Sequence, residues 1–247
     1  MPTVGVITLF ILTWGKCVLT VTDLTVEYTD GTRAIDAVRF SIAPGENVAL
    51  IGANGAGKTS LLLALVGVLP TTSGEIRVSE TLLTRKTLRQ IRAQMGLVFQ
   101  NPDDQLFMPN IFEDIAFGPR SFGCEEAKIT ERVNAVLSRL SIEHLAQRSP
   151  LKLSAGEKRL AAIATVLVME PEFLLFDEPT AFLDPRARRT LSALLLDLPQ
   201  SMLIATHDLA FAEEMCSRVL LLQNGKLIAD DGKELLRDTV VLEAAGL

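Results

Sequence analysis

The stretch GANGAGKTS, Gly52–Ser60, fits the pattern G-x-x-x-x-G-K-[ST] at every fixed position. It follows an apolar run, Asn47–Ile51, and opens a helix-like run at Leu61, Leu62 and Leu63. Glycines let a backbone curl so that successive N–H groups face inward. A helix N-terminus adds partial positive charge, and the two together hold polyphosphate. Gly52, Ala53, Asn54, Gly55, Ala56, Gly57, Lys58, Thr59 and Ser60 are therefore the candidate phosphate-binding residues. Lys58 is placed to reach β- and γ-phosphates, and the Thr59 hydroxyl to ligate Mg²⁺.

A second chemical stretch, FLLFDEP at Phe173–Pro179, is an apolar run ending in two carboxylates. Ligands bind at the carboxyl edge of such a strand. Asp177 is the candidate Mg²⁺ partner through water, and Glu178 the candidate general base toward an attacking water. His207, in LIATHD, ends a third apolar run at the same predicted edge. It either contacts the γ-phosphate and holds the water in line, or caps the turn beside Asp208. His144 lies on a helical pattern with no partner and reads as structural.

These groups need strands to hold them at one edge. Strand-like runs fall at Thr20–Val26, Arg39–Ile42, Asn47–Ile51, Glu75–Val78, Met95–Phe99, Phe173–Phe176, Ser201–Ala205 and Arg218–Gln223. Helical patterns fall at Thr59–Val66, Glu125–Leu140, Ser154–Met169, Pro185–Leu196 and Leu209–Cys216. Alternating strands and helices predict an α/β fold with a mostly parallel sheet. Residues from about 100 to 164 lack a good strand and read as an inserted helical subdomain.

The chain has 247 residues, 48% apolar but only 5% aromatic, so its core is expected to be aliphatic. A net charge of -6 argues against nucleic acid as the default partner. Three spaced cysteines without a CxxC pair argue against a disulfide framework or a zinc site. The longest apolar run, Val4–Trp14, is too short for a membrane span.

The motifs as a set resemble the ATP-binding subunits of ABC transporters. KLSAGEKR, Lys152–Arg159, looks like that family's signature loop, with Ala155 and Glu157 departing from LSGGQ. The resemblance implies that Ser154, Ala155, Gly156 and Glu157 open a helix toward the γ-phosphate held by a second subunit. It implies further that Gln100 is the Q-loop glutamine near Mg²⁺ and the water. Asp184, in AFLD, falls at the D-loop, and Tyr28 at the aromatic that stacks on adenine. The other reading of Tyr28 is a strand residue with an exposed hydroxyl. The family fold is a P-loop NTPase core with an antiparallel β portion on the N-terminal side and an inserted helical subdomain. The likeness runs from about Val18 to Leu236, as one domain over 18–247. It implies ATP and Mg²⁺ as cofactors and a head-to-tail pair of subunits, identical or mixed.

A single P-loop, no coiled-coil run between Lys58 and Asp177, and no fused spans leave a free-standing subunit that docks on separate membrane proteins. QNPDDQLF, YTDGTRAI and ATVLVMEPEFLLFDEPTAFLDPRARR resemble the energy-coupling-factor importers, particularly the cobalt and nickel branch. The resemblance places Asp103, Asp104, Leu106 and Phe107 against a transmembrane coupling subunit at the cytoplasmic face of the membrane. The carboxylates would pair with basic residues, and the two apolar side chains would anchor. The other reading of Pro102–Asp104 is an exposed turn. Without a His or Cys cluster here, cargo recognition falls to a separate membrane subunit. A vitamin importer and a soluble, non-transport ABC ATPase remain alternatives. Residues 1–17 precede the resemblance, either because translation begins at Val18 or as a tail that touches the bilayer.

Overall fold

The structure, a computed structural model, describes residues 18–247, so both readings of residues 1–17 lie outside it. Two sheets carry the fold. The first is antiparallel, in the order β2-β1-β4-β5, from β1 (Leu19–Glu27), β2 (Arg33–Ile42), β4 (Ser73–Val78) and the short β5 (Thr81–Leu82). The second has the order β10-β9-β3-β8-β7-β6. Its strands are β3 (Asn47–Ile51), β6 (Met95–Val98), β7 (Phe173–Asp177), β8 (Ser201–Ala205), β9 (Arg218–Gln223) and β10 (Lys226–Gly232). All of its pairings are parallel except that of β10 with β9.

The parallel strands read as unbroken apolar runs because both of their faces are covered. Val48 and Leu50 of β3 join one apolar cluster, with the antiparallel sheet and α1 (Lys58–Leu65). Ala49 and Ile51, their neighbours in sequence, join the other. The period-2 alternation of a strand divides β7 in the same way, with Phe173 and Leu175 on one side and Leu174 and Phe176 on the other. The second cluster is completed by α3 (Ile111–Ser121), α4 (Glu126–Arg139), α5 (Ala155–Leu167), α6 (Pro185–Leu196) and α7 (Leu209–Met215).

Sequence patterning assigned no segment to four elements: α3, the two-residue β5, β10 and one further helix. That helix, α2 (Leu88–Gln94), buries only Ile91, so it has no apolar stripe to read. The strand β10 is an edge strand with largely exposed residues, including Asp230 and Asp231. The predicted Arg39–Ile42 is the end of a ten-residue strand in which burial alternates cleanly only over Val38–Ile42, after Ala37 at φ 50°. A final short helix, α8 (Thr239–Ala244), packs its Leu242 into the second cluster. Among the described residues, no helix is long and apolar enough to cross a membrane.

Candidate functional site

The loop after β3 curls as its glycines allow. Gly57 has φ 109°, and a Cβ there would lie 2.5 Å from the Ala34 carbonyl, so any side chain would collide with β2. Directly after it, α1 begins at Lys58 with its first N–H groups turned to the loop. Lys58 Nζ donates to the Gly52 carbonyl at 2.5 Å and lies 3.9 Å from Glu178 Oε1. Burial pulls the Lys58 pKa down, against the opposing pull of Glu178 and Asp177. The hydroxyls of Tyr28 and Ser60 share a hydrogen bond of 2.8 Å.

Asp177 is the last residue of β7, and Glu178 follows at the neighbouring tip of β8. Thr59 Oγ1 donates to Asp177 Oδ2 at 2.8 Å across a separation of 118 residues. Burial holds the Asp177 carboxyl above its usual range, as does Glu178 beside it, while the Thr59 bond and the Lys58 and Arg159 charges act the other way. Glu178 is buried and takes the left-handed conformation, φ 45°, which is uncommon for a residue with a Cβ. Its carboxylate accepts from Thr206 Oγ1 at 3.1 Å and from the His207 main-chain N–H at 3.2 Å. His207 Nδ1 stands 2.9 Å from the same oxygen. The helix cap at this turn is Asp208, which accepts from the Phe211 N–H, so His207 faces the carboxylate instead of capping.

An open cleft of about 620 Å³ gathers these groups. Residues 53–60, Tyr28, Gln100, Asp177, Glu178 and His207 all line it, together with Asn224 and Gly225 from the turn between β9 and β10. That turn was not foreseen, because its link to the P-loop, a bond from the Gly225 N–H to the Ala56 carbonyl at 2.9 Å, exists only in the fold. The Thr59 hydroxyl, the Asp177 carboxylate and the Gln100 amide offer hard oxygen donors of the kind Mg²⁺ takes. Asp177 is moreover a buried carboxylate in want of positive charge, so the residues fit that ion.

The remaining predicted residues lie elsewhere. Ser154, Gly156, Glu157 and Asp184 line a separate groove between the heads of α5 and α6. Ser154 caps α5 in a capping box: its Oγ accepts from the Glu157 N–H, and the Glu157 carboxylate accepts from the Ser154 N–H at 2.8 Å. Glu157 therefore turns back on the cap, which accounts for a carboxylate at a helix N-terminus where an anion was expected. Ala155 is the first helical residue, so its Cβ meets no backbone strain. Asp184 caps α6 by accepting from the Arg186 and Ala187 N–H groups at 2.8 Å.

The expectations for Asp103–Phe107 need correction. Leu106 is 5% exposed and belongs to the second apolar cluster, so it cannot anchor a partner. The one-turn 3₁₀ helix at Pro102–Asp104 rotates it inward. Phe107 is 63% exposed and packs edge-on against the half-exposed Phe117 of α3, with ring centroids 5.0 Å apart. Asp103 is already paired with Lys158 at 2.6 Å, while Asp104 makes no ion pair among the described residues.

Comparison with known proteins agrees with this architecture. Residues 35–181 match the ABC transporter family model. A Geobacter sulfurreducens chain, provisionally named an ABC transporter ATP-binding protein, is 47% identical over 213 residues, 86% of each chain. An energy-coupling factor transporter ATP-binding protein, EcfA of Carboxydothermus hydrogenoformans, is 40% identical over 228 residues, 91% of this chain and 84% of its own. The solved structure of cbiO1 from Clostridium perfringens, part of the ABC transporter complex cbiONQ, is 36% identical with a TM-score of 0.81. It covers 93% of this chain and 94% of that one. The chain belongs to the ABC transporter family as an ATP-binding subunit, and is an ATPase of that family.

Proposed function

We propose that this chain is the ATP-hydrolysing subunit of an energy-coupling-factor importer, at the cytoplasmic face of the membrane, with cobalt or nickel ions as cargo. The observation that carries the reading is the single cleft shared by Lys58, Thr59, Gln100, Asp177, Glu178 and His207. Likeness to EcfA and cbiO1 supports the importer type. The cargo rests on the resemblance of the segments around Gln100 and Asp177, and a vitamin is the alternative.

In this reading the P-loop N–H groups and Lys58 hold the polyphosphate, Lys58 exchanging the Gly52 carbonyl for phosphate oxygens. Tyr28 lies against the adenine. Thr59, Gln100 and Asp177 would hold Mg²⁺, which when bound would supply charge neutralisation at the phosphate oxygens. Glu178 takes the proton of the attacking water, held in place by Thr206 and His207. His207, 63% exposed at the rim, is free to turn toward the γ-phosphate. Ser154 and Gly156, lining a groove of their own, act on the nucleotide of a second subunit in a head-to-tail pair, with Asp184 beside them. ATP closes that pair and hydrolysis opens it.

The exposed Phe107–Phe117 pair with Asp104 forms the face toward the transmembrane coupling subunit, an aromatic anchor with a free carboxylate beside it. The test is purification with a polytopic membrane partner, followed by reconstitution into vesicles. ATP-dependent uptake of cobalt or nickel is expected. Uptake of a vitamin alone would reassign the cargo, and an ATPase with no membrane partner would sink the importer reading.

A further inference from the structure

Arg159 is the largest fully buried side chain of the described residues, 1% exposed on the first turns of α5. A guanidinium carries five N–H donors and is costly to remove from water. Here it meets no carboxylate in an ion pair among the described residues. Nη1 donates to the Phe99 carbonyl at 2.7 Å and Nη2 to the Gln100 carbonyl at 2.6 Å, while Nε has no partner. Burial pulls its pKa down to about 10, with Asp177 favouring the cation. A buried cation without an ion pair costs stability, and here the return is two bonds that hold the main chain at Phe99 and Gln100.

The same short segment is grasped from α5 at further points. Lys158 Nζ pairs with Asp103 at 2.6 Å. Gln105 Nε2 donates to the Ala162 carbonyl and to Thr165 Oγ1, both at 2.8 Å, and its Oε1 accepts from the Phe99 N–H at 3.1 Å. The two Arg159 bonds go to main-chain oxygens, so they fix the backbone at Gln100 and leave its amide to the nucleotide cleft. The head of α5, at Ser154 and Gly156, lines the other groove.

We propose that Arg159 is a positioning residue that joins the head of α5 to the Gln100 backbone, so that a nucleotide engaged at Ser154 and Gly156 sets Gln100 in the cleft of the same chain. This rests on the head-to-tail reading above, in which a second copy brings that nucleotide.

A double-mutant cycle tests it, using Arg159→Met, Arg159→Lys and Gln100→Ala in the full chain with MgATP. Arg159→Met is expected to lower kcat roughly tenfold or more, with the KM for ATP within about twofold, because Arg159 lines the groove at the head of α5 and not the P-loop cleft. Arg159→Lys, which can still donate to carbonyls, should fall between that variant and the wild type. In the Gln100→Ala background neither change should lower kcat much further. Full additivity, a rise in KM at constant kcat, or wild-type kcat in Arg159→Met would overturn the proposal. If Arg159→Met does not fold, the cycle is closed with Arg159→Lys, and the same additivity criterion applies. ATP-driven dimerisation of Glu178→Gln, followed by light scattering, separates the two layers. Its absence defeats the head-to-tail reading and the proposal with it, whereas its presence beside an additive cycle defeats only the role of Arg159.

Discussion

Thr59 Oγ1 and Asp177 Oδ2 lie 2.8 Å apart, joining the first turn of α1 to the end of β7. In the proposed function this hydroxyl and this carboxylate are both Mg²⁺ donors. Thr59→Val keeps the volume and β-branching and deletes the oxygen. Losing a bond to a charged group costs about 1.5–3 kcal/mol, or roughly 10- to 150-fold. ATPase rate titrated against Mg²⁺ should show a loss of that size, with a higher Mg²⁺ requirement. An unchanged Mg²⁺ requirement would remove Thr59 from the ion site.

Glu178→Gln keeps the size of a side chain held by Thr206 and His207, but removes the basic carboxylate. Nucleotide binding should persist while steady-state hydrolysis falls by about 10²–10⁴-fold, the range typical of general-base loss. Phosphate release at the wild-type rate would show that another group activates the water.

Leu106 and Phe107 are neighbours with opposite environments, 5% and 63% exposed. Leu106→Ala should destabilise the chain by about 2–5 kcal/mol in urea unfolding, the cost of a cavity in a packed core. Phe107→Ser with Phe117→Ser should change stability little and weaken recovery of the membrane partner. Full recovery of the partner by the double variant would show that it docks on another face.

Asp114 accepts from the Phe107 and Met108 N–H groups at 2.9 Å, while its Oδ2 is buried without a partner. Burial raises its pKa above 3.8. The stabilisation linked to its proton is therefore fully present below pH 3.8 and lost as pH rises through the folded value. Asp114→Asn can keep both accepted bonds without the charge. Relative to wild type it should gain stability across that rise, by about 1.4 kcal/mol for each unit of pKa shift. Urea unfolding over a pH series measures the difference, and parallel curves would show that Asp114 does not titrate there.

The candidate phosphate site was legible because its information is local. A strand, a glycine loop and a helix occupy one stretch of chain, and the runs ending at Asp177 and His207 are continuous because both faces of the sheet are buried. Asn47–Ile51, Ser201–Ala205, Arg218–Gln223 and Pro185–Leu196 fall at the boundaries their patterns predict. Elements with little buried surface, α2 and β10, give no such period and were missed, and α3, which buries Ile111, Ile115 and Ala116, was missed with Pro119 inside it.

The sequence by itself determined which groups are candidates for chemistry: Lys58 and Thr59 stand in a complete P-loop pattern, and Asp177 and Glu178 take their reading from it. Tertiary structure decided where the other side chains point. One turn of 3₁₀ helix sends Leu106 into the core and leaves Phe107 outside, a choice that composition does not encode. Glu157 resembles a misplaced charge in the sequence and closes a helix cap in the fold. Nothing in the sequence singles out Arg159 until α5 is laid against the Gln100 segment. Its partners are main-chain carbonyls 59 and 60 residues away, and a carbonyl carries no side-chain identity for a sequence to display.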